Sequence, residues 1–385
     1  MRITRGALCL AGAAVIAVGG AGCGKVKGVA AQPGPVGDRA KEAGKKAAAD
    51  AGGRTKVPSA NVALLLMNGK DDQGKRLKAE IMDLSKKNLG WAPSPCDGKG
   101  DAKMLEQCAI GVIDSGPLDY IISNGVPPKD MSRILKKAYF KRVPVINIGS
   151  TVAPNPKLFA ASYTPDDRAA SQTLNKYFIR HLMNLSEPQR KIVVLSSSTG
   201  GGSERYNQLK SDIEGTGIKI VDEAQADQKK PATDKKTVTK LLEKHPDAKG
   251  VWLAQPSSVV PAGDAVDKAF KKLKFPSRPL VVGFNAEPPT SAAIQDEKVD
   301  AVADVAYDGT LYMAMDQIAE NLGRQKPLAK NVANAKYPLD FLDIALVTRD
   351  NAPAKGKWRE PKEDFVNFFK SKWRREFGSP PKPGG

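Results

Sequence analysis

Apolar positions along this chain come in two rhythms that alternate. NVALLLM (61–67) is an unbroken apolar run of strand length, and behind it Leu77, Ile81 and Leu84 recur at helical spacing. A helix carrying Leu105, Ala109 and Val112 then precedes the strand DYIIS (119–123), and one with Met131, Ile134, Leu135 and Ala138 precedes VPVINI (143–148). A second series starts near residue 163. It runs through a helix over 167–185 with Ala170, Leu174, Tyr177 and Leu182 on one side, KIVVLSS (191–197), a helix from about 204 to 215 with Tyr206, Leu209 and Ile213, and IKIVD (218–222). GVWLAQ (250–255), a helix over 262–273, LVVGFN (280–285) and DAVADV (300–305) continue it. A long helix over 308–322 gives way to LDIALVT (342–348) and the aromatic stretch DFVNFFKSKW (364–373). Apolar runs without polar alternation suit parallel strands covered by helices on both faces. The pattern predicts an α/β protein with two successive sheets of similar size.

The beginning of the chain does not fit that pattern. Residues 1–22 carry Arg2 and Arg5 and then an apolar run of about 16 residues, shorter than the roughly 20 a membrane span needs. This reads as an export signal. It ends in Gly20-Ala21-Gly22-Cys23, which resembles the lipobox at which a signal peptidase cuts and the new terminal cysteine is acylated; Gly20 departs from the leucine that pattern prefers. Residues 23–58 hold almost no large apolar side chain and read as a disordered, lipid-anchored tether, reaching on the order of 30 Å as flexible coil. Cys9 would leave with the signal, so Cys96 and Cys108 remain in a compartment that permits oxidation. We expect a disulfide between them, worth roughly 3 kcal/mol. A pair of buried thiols is the other reading.

Charge and residue inventory exclude more than they assign. The formal charge of +18 concentrates at the ends: residues 24–58 hold eight Lys/Arg against three acids, and residues 355–385 nine against four. No basic motif interleaved with aromatics appears, so a membrane surface or anionic wall polymer is the expected counter-charge, not nucleic acid. Only His181 and His245 are present, which leaves little material for zinc or imidazole chemistry. SSSTGGGSE lacks the Gly-Lys-Ser/Thr of a phosphate loop, and there is no Gly-x-Ser-x-Gly, His-Glu-x-x-His or calcium loop. No cofactor, metal or catalytic residue is expected.

From Asn61 to about Thr348 the chain resembles the type I periplasmic binding proteins, in the ribose-like sugar branch that feeds ABC transporters. The resemblance rests most on PLDYIISNGVPPKDMSRILKKAYFKRVPVINIGS, then on Arg205 with Leu209 behind a Gly/Ser loop, HPDAKGVWLAQ and LVVGFN, in that order. It implies two Rossmann-like lobes with parallel sheets, joined by a three-crossing hinge. The lobes would be 59–162 plus 305–338 and 163–304 plus 339–375, with 376–385 a disordered tail. It also implies a small solute held between the lobes, an ABC permease as partner, a monomer, and an outer-face location on the cell membrane.

Carried over position by position, the resemblance and the strand ends nominate a site. Asn68, Gly69 and Asp71 follow the first strand, where Asn-Gly can equally be a plain turn. Asn124 ends DYIIS, and Ser150 follows VPVINI, where the sugar branch has an aspartate and an arginine. Arg205 can present a planar fork of donors to vicinal hydroxyls or to a carboxylate, or lie on the surface. Gln255 and Ser257 stand where Asn-Asp is expected, Asn285 where the family has aspartate, and Asp304 near its hinge glutamine. Among the rings Trp91, Tyr163, Trp252 and Tyr307, Trp252 reads as core and Tyr163, at the crossing between lobes, as the ring to stack on a sugar. Fewer acidic acceptors than a ribose site leave the ligand open. The rivals are the same fold reading an amide, amino acid or signalling molecule for a sensor, and an exported wall-glycan enzyme. The latter lacks a suitable carboxylate pair, since Asp71-Asp72 and Asp166-Asp167 are adjacent and point apart.

Overall fold

The computed structural model describes residues 57–149, 158–198, 200–227, 230–271 and 273–378. The expected signal peptide, Cys23, most of the expected tether, Ser150 and the residues after Gly378 lie outside that range.

The first sheet holds β1 (Asn61–Leu66), β2 (Ala92–Asp97), β3 (Tyr120–Asn124), β4 (Val145–Ile148) and β5 (Ala161–Tyr163), in the order β2-β1-β3-β4-β5, every pair parallel. Helices α1 (Asp72–Leu84), α2 (Ala102–Ser115) and α3 (Ser132–Phe140) cross over between strands. Leu77, Ile81 and Leu84 are buried on α1 as their spacing predicts. On α2, Ile113 takes the core position in place of Val112, which is only partly buried. The pattern of apolar runs misses β2, because Pro93 and Pro95 interrupt it. Proline cannot donate to a ladder, and β2 accordingly lies at the sheet's edge. The expected bond between Cys96 on β2 and Cys108 on α2 is present, with Cα atoms 5.6 Å apart.

The second sheet holds β6 (Lys191–Ser196), β7 (Lys219–Gln225), β8 (Gly250–Leu253), β9 (Leu280–Phe284), β10 (Ala301–Val305) and β11 (Ile344–Thr348), in the order β11-β10-β9-β8-β6-β7. Only β11 runs antiparallel. Around it lie α4 (Asp167–Met183), α5 (Gly200–Ile213), α6 (Asp234–Lys244), α7 (Val259–Phe270) and α8 (Pro288–Gln295). On α4 it is Phe178, not Tyr177, that joins Ala170, Leu174 and Leu182 in the core. Trp252 is fully buried, as expected, with its indole N–H donating to Asn175 Oδ1 at 3.0 Å.

The chain leaves the first lobe after β5 and returns after β10 into α9 (Asp308–Arg324), which is buried along nearly its whole length against the first sheet, and then α10 (Val332–Ala335). A third crossing leads to β11. The terminal segment adds a fourth. Helix α11 (Phe365–Phe377) packs Phe365, Phe369, Trp373 and Phe377 into the core of the first lobe, with Trp373 stacked on Tyr312 of α9 at 6.2 Å. This corrects the expectation that 339–375 belongs wholly to the second lobe and that a tail begins at 376. The spacing shows that one face of the helix is apolar, but the matching aromatic surface, Tyr312 and Phe341, stands on the other lobe.

Candidate functional site

Each sheet reverses its strand order once, the first between β1 and β3 and the second between β6 and β8. Ligands of open α/β sheets sit outside the carboxyl ends of strands at such reversals, because adjacent connections there diverge and leave a crevice. Here the two crevices face one another. Together they enclose a cavity of about 460 Å3, bounded on the first lobe by Met67, Asn68, Asp71, Asn124, Pro127 and Asp130 and on the second by Gly201, Gly202, Arg205, Gln255, Ser257 and Asn285. Tyr307, just after β10 at a crossing, closes the base.

The first-lobe wall is held by turn chemistry. Asp71 caps α1 by accepting from Gly74 N at 2.6 Å. Asp97 accepts from Gly69 N at 2.7 Å and Lys99 N at 2.8 Å, tying the loop after β1 to the loop after β2 beside the disulfide. A Cβ on Gly69 would fall 2.8 Å from the Asp97 carboxyl carbon, so Gly69 is there for this close approach and does not itself line the cavity.

Buried polar bonds hold the second-lobe wall. Arg205 is 3% exposed. Its Nε donates to Asp167 Oδ1 at 3.0 Å, Nη2 lies 2.8 Å from the same carboxylate and also donates to the Tyr307 hydroxyl, and Nη1 donates to Ala254 O at 3.1 Å. The guanidinium lies over Phe284, 4.3 Å from the ring centre. The fork expected to face a ligand is therefore largely spent inside the protein, and Arg205 meets the cavity only with the remaining Nη1 edge. The glycines before it have a steric reason: a Cβ on Gly201 would fall 2.3 Å from Asp167 Oδ2, and one on Gly202 2.6 Å from Gln255 Nε2. Gln255 in turn donates to Ser197 Oγ at 2.6 Å. Asn285 follows β9 with a φ of +63°, a left-handed conformation that asparagine tolerates. That turn leaves its buried Oδ1 without a partner on the cavity wall.

Of the nominated residues, Asn68, Asp71, Asn124, Arg205, Gln255, Ser257 and Asn285 line one cavity. Tyr163 does not. It is fully buried in the first lobe with its hydroxyl donating to Ala329 O at 2.5 Å, because α9 covers β5 at the edge of the sheet. Asp304 also stands back from the cavity. It accepts from Ala286 N at 2.6 Å and from Arg359 Nε at 2.5 Å, and Arg359 reaches on to Asp343 at 2.8 Å, so the terminal segment is pinned across the hinge. Burial raises the Asp304 carboxyl above its ordinary range, against the lowering pull of Arg359. Sequence reasoning named Tyr307 as a ring but did not choose it, and missed Met67, Pro127 and Asp130. The same rule of strand carboxyl ends finds Met67 and Tyr307. Among the described residues, no group of three or more His, Cys, Asp or Glu could hold a metal ion.

Solved structures share this architecture. An ABC sugar transporter subunit from Rhodobacter sphaeroides superposes with a TM-score of 0.63 at 16% identity, covering 76% of this chain and 99% of that one. A 5-methylthioribose transporter solute-binding protein from Thermotoga lettingae gives 0.63 at 15%, covering 75% and 86%. The binding component of an arabinose ABC transporter from Shewanella sp. ANA-3, bound to L-arabinofuranose, gives 0.60 at 18%, covering 71% and 89%. At such identities the likeness is one of fold. No curated protein matches the sequence. The profile described as periplasmic binding protein domain matches residues 87–326, more than half of the chain. Two facing switch-point crevices and that match together place the chain in the periplasmic binding protein family, whose members bind solutes outside the cytoplasm and are not enzymes.

Proposed function

We propose that this chain captures a small sugar or sugar-like solute between its lobes and delivers it to an ABC importer. The observation that carries the reading is the interlobe cavity of about 460 Å3, lined by polar side chains from both lobes. A solute in contact with Asn68, Asp71 and Asn124 on one side and Gln255, Ser257 and Asn285 on the other would bridge the lobes. It would favour the closed arrangement by whatever it binds more tightly there than in the open one. Closure removes water, which strengthens each of those hydrogen bonds. The solved relatives that bind furanoses and 5-methylthioribose support a sugar-like guest. The lipobox-like Cys23 supports a lipid anchor on the outer face of the membrane, where the chain, as a monomer, would meet its permease.

Thermal unfolding against a panel of pentoses, hexoses, amino acids and amides tests this. A solute at one hundred times its dissociation constant should stabilise the fold by about 2.7 kcal/mol. Stabilisation by an amino acid or amide and by no sugar would favour the sensor-type reading instead. Mass spectrometry of the acylated N-terminal peptide tests Cys23.

A further inference from the structure

A side recess of about 30 Å3 opens off the hinge end of the interlobe cavity and shares Gln73, Asn285 and Tyr307 with it. That is room for a group the size of a water molecule or a primary ammonium. Its charges do not balance. Arg76 is paired with Asp308 and, at 3.4 Å, with Glu80, and it lies over the Trp358 ring at 4.6 Å. Arg359 is paired with Asp304 at 2.5 Å and Asp343 at 2.8 Å. Both cations are thus already paired, with Asp308 and Asp304 of the recess itself and with Glu80 and Asp343 outside it, and among the described residues Glu287, which also lines the recess, is ion-paired with no cation. Beside it the Asn285 Oδ1, in a side chain 5% exposed, accepts no hydrogen bond. A buried acceptor without a donor is costly, on the order of 1–3 kcal/mol, and marks where a ligand donor belongs.

We propose that this recess is an ammonium subsite: the solute held between the lobes carries a protonated amine that donates to Asn285 Oδ1 and to the Glu287 carboxylate, which makes it an amino sugar or another amino polyol. This rests on the solute-capture reading above and narrows it. A hydroxyl would supply one donor and no charge, whereas an ammonium supplies three donors and offsets the carboxylate. The contrast with the whole chain is informative, since a protein of net charge +18 lines this recess with more carboxylates than cations. Without a cation, burial first and then Asp71, Asp72 and Asp304 push the Glu287 carboxyl up to about 8, so that it holds a proton at neutral pH. The remaining charged groups of the recess, Arg76, Arg359 and Asp308, are already committed: Arg76 to Asp308 and Glu80, Arg359 to Asp304 and Asp343. An arriving ammonium lowers that value again, the Glu287 O–H ionises, and the proton passes to the buffer.

Isothermal titration of the full exported chain, stripped of solute by unfolding and refolding, tests the subsite. The probes are D-glucose with D-glucosamine, D-galactose with D-galactosamine, and putrescine, each in two buffers of different ionisation enthalpy. We expect an amino sugar to bind at least about tenfold more tightly than its hydroxyl twin, with proton release. E287Q should abolish the release and most of the preference of the amino sugar over its neutral twin, and N285D should tighten the amine. Equal or better binding of the neutral twins, or a preference that survives E287Q, would overturn the ammonium subsite and leave sugar capture standing. Binding of putrescine with release of a proton, but of no sugar of either kind, would uphold the subsite and overturn sugar capture. No binding by any amine at millimolar concentration counts against the subsite.

Discussion

The first lobe is assembled from three separate stretches of chain, residues 57–163, the α9 region and α11, whereas the second is nearly continuous from α4 to β10 and is completed by β11. They are also held differently. Aromatic packing around Tyr312, Phe365, Phe369 and Trp373 closes the first, together with one disulfide. The second has an aliphatic cluster, a separate one around Phe178, Trp252 and Phe284, and ion pairs, Arg205 with Asp167 and Arg278 with Asp300, each at 2.8 Å. The cavity walls inherit the difference. On the second lobe Arg205, Tyr307 and Gln255 are fixed by bonds within the protein before any solute arrives. On the first, Asn68 stands in the tied loop after β1, Asn124 at the end of β3 and Asp130 in the turn beyond it, and all three line the gap. One wall is preorganised and the other can adjust, which suits a cleft that must close on its guest.

The sharpest way to break this comparison is Trp373→Ala. It should remove about 3–5 kcal/mol from the first lobe, read as a lower denaturant midpoint, with tryptophan-independent probes of the second lobe unfolding later. If the two lobes still lose structure together, their separateness fails. Arg205→Leu comes next. It takes the ionic partner from Asp167 and should cost about 3 kcal/mol in urea unfolding, this time in the second lobe. Replacing Cys96 and Cys108 by alanine should cost about as much at most, roughly 3 kcal/mol by loop entropy, and should also weaken solute binding because Gly100 and Ala102 of the intervening loop line the cavity. Loss of stability with unchanged affinity would show that the loop is not part of the wall.

A separate expectation is one of pH and sharpens the hinge. Glu287 and Glu80 are raised to about 8 and Asp308 to about 6, in each case first by burial. A carboxyl raised in the folded state binds its proton more tightly there than when unfolded. Its contribution is present below the unfolded value near 4.5 and is lost as pH climbs through the folded one. Stability in the absence of solute should therefore decline between about pH 5 and pH 8, and E287Q should flatten that decline in part. A rise over the same window would contradict the assignment.

The sequence made the alternation of strands and helices legible because apolar runs of strand length and helical spacing are local. It also located Asn68, Asn124, Gln255 and Asn285, because the end of each strand is a local feature and the rule for switch points does the rest. What it could not reach was set by contacts between distant segments. Nothing near Arg205 in the chain announces that Tyr307, 102 positions away, and Asp167 take its donors. Tyr163 was placed at a crossing, but only the arrival of α9 covers it. The apolar face of α11 was plain, and its docking partner was not.

That last helix has a consequence for how the molecule is made. Synthesis delivers the first lobe's strands long before its sealing helix, so a chain grown past Phe341 but not yet through α11 lacks the cover over Tyr312 and Phe341. The second lobe needs only β11 from beyond β10 to complete its sheet, so it has less of the chain to wait for. A chain cut before Phe365 would therefore hold one finished half and one that waits for its keystone.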